Sequence, residues 1–223
     1  ICRESTSDIM IKLKYSRKEI DMKIPFVGVH NVYNVLAAVA SAISLGFELD
    51  VIKSGIETAP TVPGRLESVP CNRGFEVVVD YAHTPHALET VLQALRNLVK
   101  GRILLVFGCG GDRDKEKRPL MGRIADEKSD IFWLTNDNPR SEDPLNIIDG
   151  IKAGIKPGRS FHTQINRHKA IADALSEATD GDLVLVAGKG HEKYQIIKDT
   201  ITPFDDREVI KAILSGKADK HII

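Results

Sequence analysis

The sequence contains few cysteines and carries no excess of charge of either sign. The 223 residues include three cysteines, Cys2, Cys71 and Cys109, and none belongs to a CxxC pair. A scattered, odd set of this kind favours neither a disulfide framework nor a zinc site, and it is typical of the reducing cytosol. We interpret Cys109 as a small structural residue and not a nucleophile, because no base is fixed beside it in the sequence. The 31 basic and 31 acidic residues give zero net charge, so we expect no nucleic-acid partner.

Several familiar binding motifs are also absent. No apolar run approaches the roughly 20 residues that span a bilayer, so we expect no membrane partner. Neither GxxxxGK[ST] nor GxGxxG occurs, so the chain lacks a recognisable loop for a triphosphate. Residues 191–193 read HEK and do not form HExxH, so we predict no metal-ligating residues. The chain begins with Ile1 in place of Met, and we expect it to be part of a longer protein.

The strongest positive pattern is an apolar run that ends in a glycine-rich, charged loop. Residues 103–107, ILLVF, predict a buried strand. Three glycines follow it: Gly108, Gly110 and Gly111. Glycine allows sharp turns and a close approach of the backbone to a ligand. Six charged residues follow at 112–117, and because ligands bind beyond the carboxyl ends of strands in α/β sheets, this loop predicts a site.

The first part of the chain predicts a small antiparallel sheet and a helix. Residues 9–14 and 20–24 alternate apolar and polar side chains, as half-buried strands do. Residues 28–46 carry apolar side chains at helical spacing, with His30 or Asn31 as the expected N-cap and a glycine at the end.

A sequence of two prolines and a glycine, PTVPG at residues 60–64, predicts a domain boundary. We therefore expect domains at 1–62 and 63–223. Apolar runs alternate with helical patterns in the second domain, and the runs lie at 75–79, 103–107, 131–135 and 183–187. This alternation predicts an α/β fold with a mostly parallel, doubly wound sheet that is covered on both faces.

Polar side chains follow each of these four strands. The segments are DYAHTPHA, GCGGDRDK, TNDNPR and AGKGHE. Because carboxyl ends of parallel strands share one edge, we expect the loops to meet in one crevice. The charged candidates there are Arg113, Lys115, Arg140, Asp80, Asp137 and Glu192. Such a mixed lining suits a zwitterion or a phosphate–metal complex.

The ordered motifs GVHNVYN, PGRLE, DYAHTP, GCGGDRDKEKRP, DNPR and AGKGHE resemble the Mur ligases of cell-wall synthesis, from about residue 28 to residue 214. The resemblance is strongest to the branch that adds meso-diaminopimelate to a UDP-N-acetylmuramoyl dipeptide. It implies that residues 1–62 end a central ATP-binding domain and that residues 63–223 are a Rossmann-like amino-acid-binding domain. The ATP loop, the carbamylated lysine and the nucleotide-sugar domain of the family would lie in an N-terminal half that precedes Ile1.

The resemblance also implies two sets of binding residues. The amino acid would be bound by Arg113, Asp137, Asn138, Pro139, Arg140, Gly188 and Glu192. ATP, which acts with Mg²⁺, would be bound by Asn31, Asn34, Arg65, Asp80, Tyr81 and Lys115. No nucleophilic side chain is implied, because the family activates the dipeptide carboxylate as an acyl phosphate.

The arginine of DNPR accompanies diaminopimelate rather than lysine in this family. A guanidinium such as Arg140 or Arg113 can hold the distal carboxylate with two parallel hydrogen bonds, and Glu192 can accept from the ammonium. Lysine would leave the arginine unpaired, a rejection that can reach about 10⁴-fold. Two alternatives stay open: a related ligase for another amino acid, such as lysine or glutamate, and a binding fragment without catalytic activity.

Overall fold

The computed structural model describes residues 1–5 and 8–216, and its backbone divides into two compact units, Ile1–Val62 and Pro63–Ile223. Within the described part of the chain, no helix has the length and apolar character needed to cross a membrane.

The first unit is a small antiparallel sheet packed against two helices. Its elements are β1 (Arg3–Glu4), β2 (Ile9–Tyr15), β3 (Lys18–Ile24), α1 (Val29–Ser44) and α2 (Leu49–Glu57). The strands pair in the order β1-β2-β3, all antiparallel, as the alternating pattern predicts. The core joins apolar side chains of both layers: Ile9, Ile11, Met22, Ile24, Val32, Val35, Val39 and Ile52.

The predicted N-cap of α1 is wrong, because the helix begins earlier. Gly28 is the N-cap, with φ 90° and no side-chain cap, and His30 and Asn31 lie within the first turn. The Asn31 side chain instead donates back to the carbonyl of Val27 at 2.7 Å. The predicted C-terminal glycine is confirmed: Gly46 follows the helix with φ 85°, a conformation that suits glycine.

The second unit is built on a six-stranded sheet. Its strands are β4 (Glu67–Ser68), β5 (Glu76–Asp80), β6 (Ile103–Phe107), β7 (Ile131–Leu134), β8 (His162–Thr163) and β9 (Leu183–Ala187). The order is β4-β5-β9-β6-β7-β8, and only the edge strand β4 pairs antiparallel. The predicted α/β class with a mostly parallel sheet is therefore confirmed.

Five helices of the second unit connect or follow these strands: α3 (Pro85–Arg96), α4 (Lys117–Lys128), α5 (Pro144–Lys152), α6 (Arg167–Glu177) and α7 (Asp206–Leu214). A hairpin of β10 (Tyr194–Ile197) and β11 (Thr200–Pro203) separates β9 from α7. The side chains of Thr84, Asp143 and Asn166 cap α3, α5 and α6. These caps are the ones expected of Thr and Asp before proline and of Asn before a helix.

Both faces of the sheet are covered. One face packs on α6 and α7 in a core that includes Val79, Val106, Trp133, Val186 and Ile171. The alternate residues of β6 and β9 point to the opposite face and are also fully buried. Strand β9 lies between β5 and β6, so the strand order reverses there, and crevices form beside such reversals in α/β sheets. The loops after β5, β9, β6 and β7 thus begin at the carboxyl ends of four neighbouring strands, along one edge of the sheet.

Candidate functional site

A network centred on Asn138 joins the loop after β7 to the loop after β9. Asn138 is 1% exposed. Its Nδ2 donates to Oε2 of Glu192 at 2.9 Å, and its Oδ1 accepts from Nζ of Lys189 and from the backbone N–H of Ile196, both at 3.0 Å. Both the nitrogen and the oxygen of this amide are thus hydrogen-bonded, so the side chain has one defined orientation.

Glycine at position 188 allows the Asp137 carboxylate to approach β9. Gly188 has φ 112°, and a Cβ built there would lie 2.8 Å from Oδ2 of Asp137. The Gly188 N–H donates to the carbonyl of Asp80 at 3.1 Å, which holds the loop in place. Gln195 donates to the Asp137 carbonyl at 2.8 Å, so the backbone beside this carboxylate is also held. Asp137 itself is 8% exposed.

Arg140 is fixed through its backbone and through one end of its guanidinium. It adopts φ 51°, a conformation that costs about 1–2 kcal/mol in a residue other than glycine. Its N–H donates to Ile196 and its carbonyl accepts from Lys198, at 3.1 and 2.7 Å. Nη1 donates to the carbonyls of Gly111 and Asn138, at 2.8 and 3.4 Å. Nε and Nη2 donate to no group in the described residues, so they retain the capacity to bind a carboxylate.

Arg113 belongs to the glycine-rich loop after β6, in which Gly110 lies between Arg113 and Arg140. A Cβ at Gly110 would stand 3.0 Å from Nη1 of Arg140 and 3.7 Å from Cγ of Arg113, so this glycine separates the two arginines. Arg113 is exposed, and its Nη1 donates to the carbonyl of Asp112 at 3.0 Å. A side chain at Gly111 would overlap the carbonyl oxygen of Pro139. The glycines therefore bring the loops after β6 and β7 into contact.

An ionic clamp locks these two loops together. Glu142 accepts two hydrogen bonds from the buried guanidinium of Arg118, at 2.8 and 3.0 Å, and one from the N–H of Asp112 at 2.6 Å. The Arg118 hydrogen bonds lower the pKa of Glu142 to about 2. The Asp112 carboxylate in turn accepts from the hydroxyl and the N–H of Ser141, which lowers its pKa. Asp112 also adopts a left-handed conformation, φ 54°.

A buried ion pair connects two strand ends at the same edge of the sheet. Arg167 and Asp206 are fully buried and bond through Nε–Oδ1 and Nη2–Oδ2, both at 2.8 Å. Burial alone would lower the pKa of Arg167, but the charge and hydrogen bonds of Asp206 hold the pKa above its usual value. Nη2 also donates to the carbonyl of Ala187 and Nη1 to that of Asn136, at 3.0 and 3.4 Å. The pair thus ties the ends of β9 and β7.

A different arrangement surrounds β5. Asp80 is 5% exposed, and its two carboxylate oxygens accept from the N–H groups of Leu66 and Ala82, at 2.8 and 2.7 Å. The first bond stabilises Leu66 in a left-handed conformation, φ 44°, directly after Arg65. The Arg65 guanidinium lies 4.9 Å from the centre of the Tyr81 ring, and Arg65 is exposed. In this arrangement Asp80 orients the backbone from which Arg65 projects.

Two histidines complete this exposed cluster. The His83 and His191 rings lie 4.5 and 5.2 Å from the Tyr81 ring, centre to centre. Nδ1 of His83 is 2.9 Å from the Tyr81 carbonyl, and Lys117 donates to the His83 carbonyl at 2.8 Å. Arg65, Tyr81, His83 and His191, named here the ring cluster, place one guanidinium group beside three tilted rings.

The other three predicted ATP-binding residues belong to other elements of the chain. Lys115 is 71% exposed in its side chain and pairs with Glu142 at 3.6 Å, beside the arginine loop. Asn31 and Asn34 belong to the first unit, where Nδ2 of Asn34 donates to Oδ1 of Asn31 at 3.2 Å. The structure thus brings together the predicted amino-acid set, and it also brings together Arg65, Asp80 and Tyr81, which adjoin the first set through the hydrogen bond from Gly188 to Asp80. The binding roles of both sets stay predictions.

The structure bears on two chemical questions, namely the reactivity of Cys109 and the capacity of the described residues to hold a metal ion. Cys109 is 2% exposed and donates to the Met121 sulfur at 3.6 Å, and burial raises the pKa of its thiol to about 12. A thiol in this state is not a nucleophile at neutral pH. Across residues 1–5 and 8–216, no three His, Cys, Asp or Glu side chains lie close enough together to hold a metal ion.

Sequence reasoning missed the residues that hold the site together. Four of these were given no role: Arg118, Glu142, Lys189 and Arg167. One signal was available for Glu142, which is an acidic residue directly after the DNPR motif and Ser141. Arg167 and Asp206 lie 39 positions apart, and no sequence pattern links them.

The fold and the motifs at its sheet edge define a class of protein. The profile of the family "Mur ligase, glutamate ligase domain" matches residues 64–190, and the chain belongs to the Mur ligases. Among curated relatives, UDP-N-acetylmuramoyl-L-alanyl-D-glutamate–2,6-diaminopimelate ligase of Syntrophomonas wolfei is 47% identical over 208 residues, which are 92% of this chain and 42% of the relative. The enzyme of the same name from Gloeobacter violaceus is 49% identical over 197 residues, 88% of this chain and 40% of the relative.

Solved structures agree with this assignment. A structure of UDP-N-acetylmuramoyl-L-alanyl-D-glutamate–2,6-diaminopimelate ligase superposes with TM-score 0.71 at 37% identity, covering 96% of this chain and 44% of the other. A folylpolyglutamate synthase from Thermotoga maritima, at 20% identity and TM-score 0.65 over 84% of this chain and 42% of its own, shares the fold. The chain spans less than half the length of the curated relatives that it matches.

Proposed function

We propose that this chain is the C-terminal part of an ATP-dependent ligase that adds meso-diaminopimelate to UDP-N-acetylmuramoyl-L-alanyl-D-glutamate. The reaction belongs to the cytoplasmic synthesis of peptidoglycan precursors, and so to cell-wall growth, cell shape and division. Residues 63–223 hold the incoming amino acid, and residues 1–62 are the end of the central ATPase domain. The rest of that domain, with the ATP loop, and the domain for the nucleotide sugar belong to the N-terminal half of the same enzyme.

One observation supports this proposal most strongly. Arg140 is held by its backbone and by Nη1, while Nε and Nη2 remain available in a plane, as a carboxylate requires. The carboxylates of Asp137 and Glu192 lie on the loops that contact Arg140 or its neighbour Asn138. A ligand with carboxylate and ammonium groups at both ends matches this distribution of charge better than an apolar ligand does.

The chemistry proceeds in two steps. The dipeptide carboxylate attacks the γ-phosphorus of ATP and becomes an acyl phosphate, with ADP as the leaving group. The amino group of diaminopimelate then attacks the acyl carbon, and the products are the amide, inorganic phosphate and a proton. In this second step the contribution of the described residues is orientation, because a fixed amine reacts far faster than a free one.

ATP and Mg²⁺ are the expected cofactors of the whole enzyme. Mg²⁺ supplies compensation of phosphate charge when it is bound. The described residues offer it no cluster of His, Cys, Asp or Glu side chains. Toward ATP, the chain contributes the ring cluster, with Arg65 as a phosphate-binding cation and Tyr81 as a flat surface for the ribose or base. Asn31 and Asn34 of the first unit are proposed to lie near the adenine, and Lys115 near a phosphate.

Calorimetric titration of the chain with meso-diaminopimelate, L-lysine and L-glutamate tests the proposal. We expect diaminopimelate to bind and the other two to bind at least about 100-fold more weakly, because L-lysine lacks the distal carboxylate, whereas L-glutamate has a shorter chain and lacks the distal ammonium. Arg140→Lys keeps the charge and removes the planar fork, so it should weaken diaminopimelate about tenfold or more. The control is Arg123→Lys, a change of an exposed arginine on α4. Equal affinity for L-lysine or L-glutamate, or no binding of any of the three, would contradict the proposal.

A further inference from the structure

Lys189 is a fully buried lysine at the carboxyl end of β9. Its side chain is 0% exposed, whereas lysines are almost never fully buried unless they are paired. Nζ donates to Oδ1 of Asn138 at 3.0 Å and to Oε2 of Glu192 at 3.1 Å. It also lies 5.7 Å from the centre of the Tyr194 ring. Burial of an ammonium group carries a large desolvation cost, so this placement needs a local purpose.

The ammonium does not serve as a direct ligand for a substrate anion. A group that binds phosphate or carboxylate must present its donors to the ligand, and Nζ has no accessible surface. Nζ contacts two side chains of the candidate amino-acid site and the Tyr194 ring of the following hairpin. Lys189 therefore acts on the site through Asn138 and Glu192.

Only one of the two carboxylate oxygens of Glu192 accepts hydrogen bonds within the described residues. Oε2 receives both donors, Nδ2 of Asn138 at 2.9 Å and Nζ of Lys189 at 3.1 Å. Oε1 accepts no hydrogen bond within residues 8–216, and the Glu192 side chain retains 19% exposure. A carboxylate with one saturated oxygen has a fixed plane, and its second oxygen keeps its capacity for an external donor.

We propose that Lys189 is a positioning residue for amino-acid selection. It fixes the Glu192 carboxylate and the Asn138 amide in one arrangement, so that Oε1 of Glu192 is offered to an ammonium group of the ligand. This inference rests on the proposed function, because it takes these loops as the amino-acid site. It adds a residue whose effect depends on the ammonium of the ligand and not on the carboxylate that Arg140 binds.

The test compares two ligands that differ by one ammonium group. 2-Aminopimelate keeps both carboxylates of meso-diaminopimelate and lacks one of its amines. We expect Lys189→Met to weaken meso-diaminopimelate by about tenfold to a hundredfold, the loss typical of a misaligned charged hydrogen bond. The same change should weaken 2-aminopimelate by no more than about threefold. Lys193→Met is the matched control, because it removes an exposed lysine of the same loop.

Each result decides a different claim. Equal weakening of both ligands by Lys189→Met would assign Lys189 a purely structural role and overturn the inference. Unchanged binding of both ligands would also overturn it. If the unaltered chain binds neither ligand, the proposed function fails, and this outcome differs from a failure of Lys189 alone.

A second measurement uses the unaltered chain, so it does not depend on whether a variant folds. The ammonium of Lys189 in the unaltered chain should give a slowly exchanging ¹⁵Nζ signal in NMR spectra, because the group is buried and hydrogen-bonded. Addition of meso-diaminopimelate should shift this signal, through Oε2 of Glu192, more than 2-aminopimelate does. A signal in fast exchange with water, or one that meso-diaminopimelate leaves unmoved, would contradict the inference.

Discussion

The two sides of the sheet edge hold their polar residues in different ways. On the side of β6, β7 and β9, buried ion pairs and amide hydrogen bonds fix Asn138, Arg140 and Glu192. On the side of β5, Arg65 and Tyr81 are held by ring contacts at the surface. The first side is therefore organised before a ligand arrives, whereas on the second side Arg65 is exposed and Tyr81 is half-buried.

This difference matches what the two proposed ligands require. A small amino acid offers few contacts, so its selection depends on side chains that are already in place. The ATP loop is proposed to lie in the N-terminal half of the enzyme, so the ring cluster would add contacts to an ATP site that is formed mainly by other residues. The comparison leads to predictions about stability and pH, in decreasing order of effect.

The largest effect is expected from the buried Arg167–Asp206 pair, which contacts the ends of β7 and β9. Arg167→Met leaves the Asp206 charge buried and unpaired, so the free energy of unfolding should fall by about 3–5 kcal/mol. Urea denaturation measures this loss. The double variant Arg167→Met/Asp206→Leu should recover most of it. Lys211→Gln, which breaks the exposed pair with Glu208, should cost less than about 1 kcal/mol. Similar costs for the buried and the exposed pair would contradict the comparison.

The second effect concerns the clamp between the loops after β6 and β7. The pKa of Glu142 is about 2 in the folded chain, below its ordinary value of 4.5, so its contribution to stability is complete above pH 4.5. It should be lost as the pH falls from 4.5 toward 2. Glu142→Gln should lower the free energy of unfolding at pH 7 by about 1–2 kcal/mol. The difference between variant and parent should shrink in acid, and a difference that is constant from pH 7 to pH 3 would contradict this assignment.

The smallest effect is expected at the ring cluster. Tyr81→Leu removes the contact with Arg65 and two histidine contacts, all at the surface, so it should change the free energy of unfolding by no more than about 1 kcal/mol. Thermal unfolding checks this value. A loss as large as that of Glu142→Gln would show that the β5 side is as firmly organised as the other.

The sequence allowed the fold to be predicted in most of its elements. Apolar runs such as residues 103–107 and 183–187 are strands with the expected bounds, because buried parallel strands leave a continuous hydrophobic pattern. Capping residues such as Asn166 were equally readable. The start of α1 was not, because Gly28 serves as N-cap through its backbone conformation and not through a side chain.

The candidate site was predictable only in part. Loops that follow neighbouring strands converge by topology, which made Arg140 and Glu192 visible, whereas Asn138 was implied by the family resemblance. The groups that fix them depend on contacts between distant positions, and Lys189 was overlooked because a lysine between glycines is usually exposed. Its burial becomes evident only when the Asn138 loop is placed beside it.

Backbone amide NMR signals of the ¹⁵N-labelled chain can be followed as meso-diaminopimelate is added. We expect shifts at Gly111, Asn138, Gly188 and Glu192, with little change at Arg65 and Tyr81. Shifts confined to the ring cluster, or shifts that L-lysine reproduces at the same concentration, would contradict the claim that the organised side of the sheet edge selects diaminopimelate.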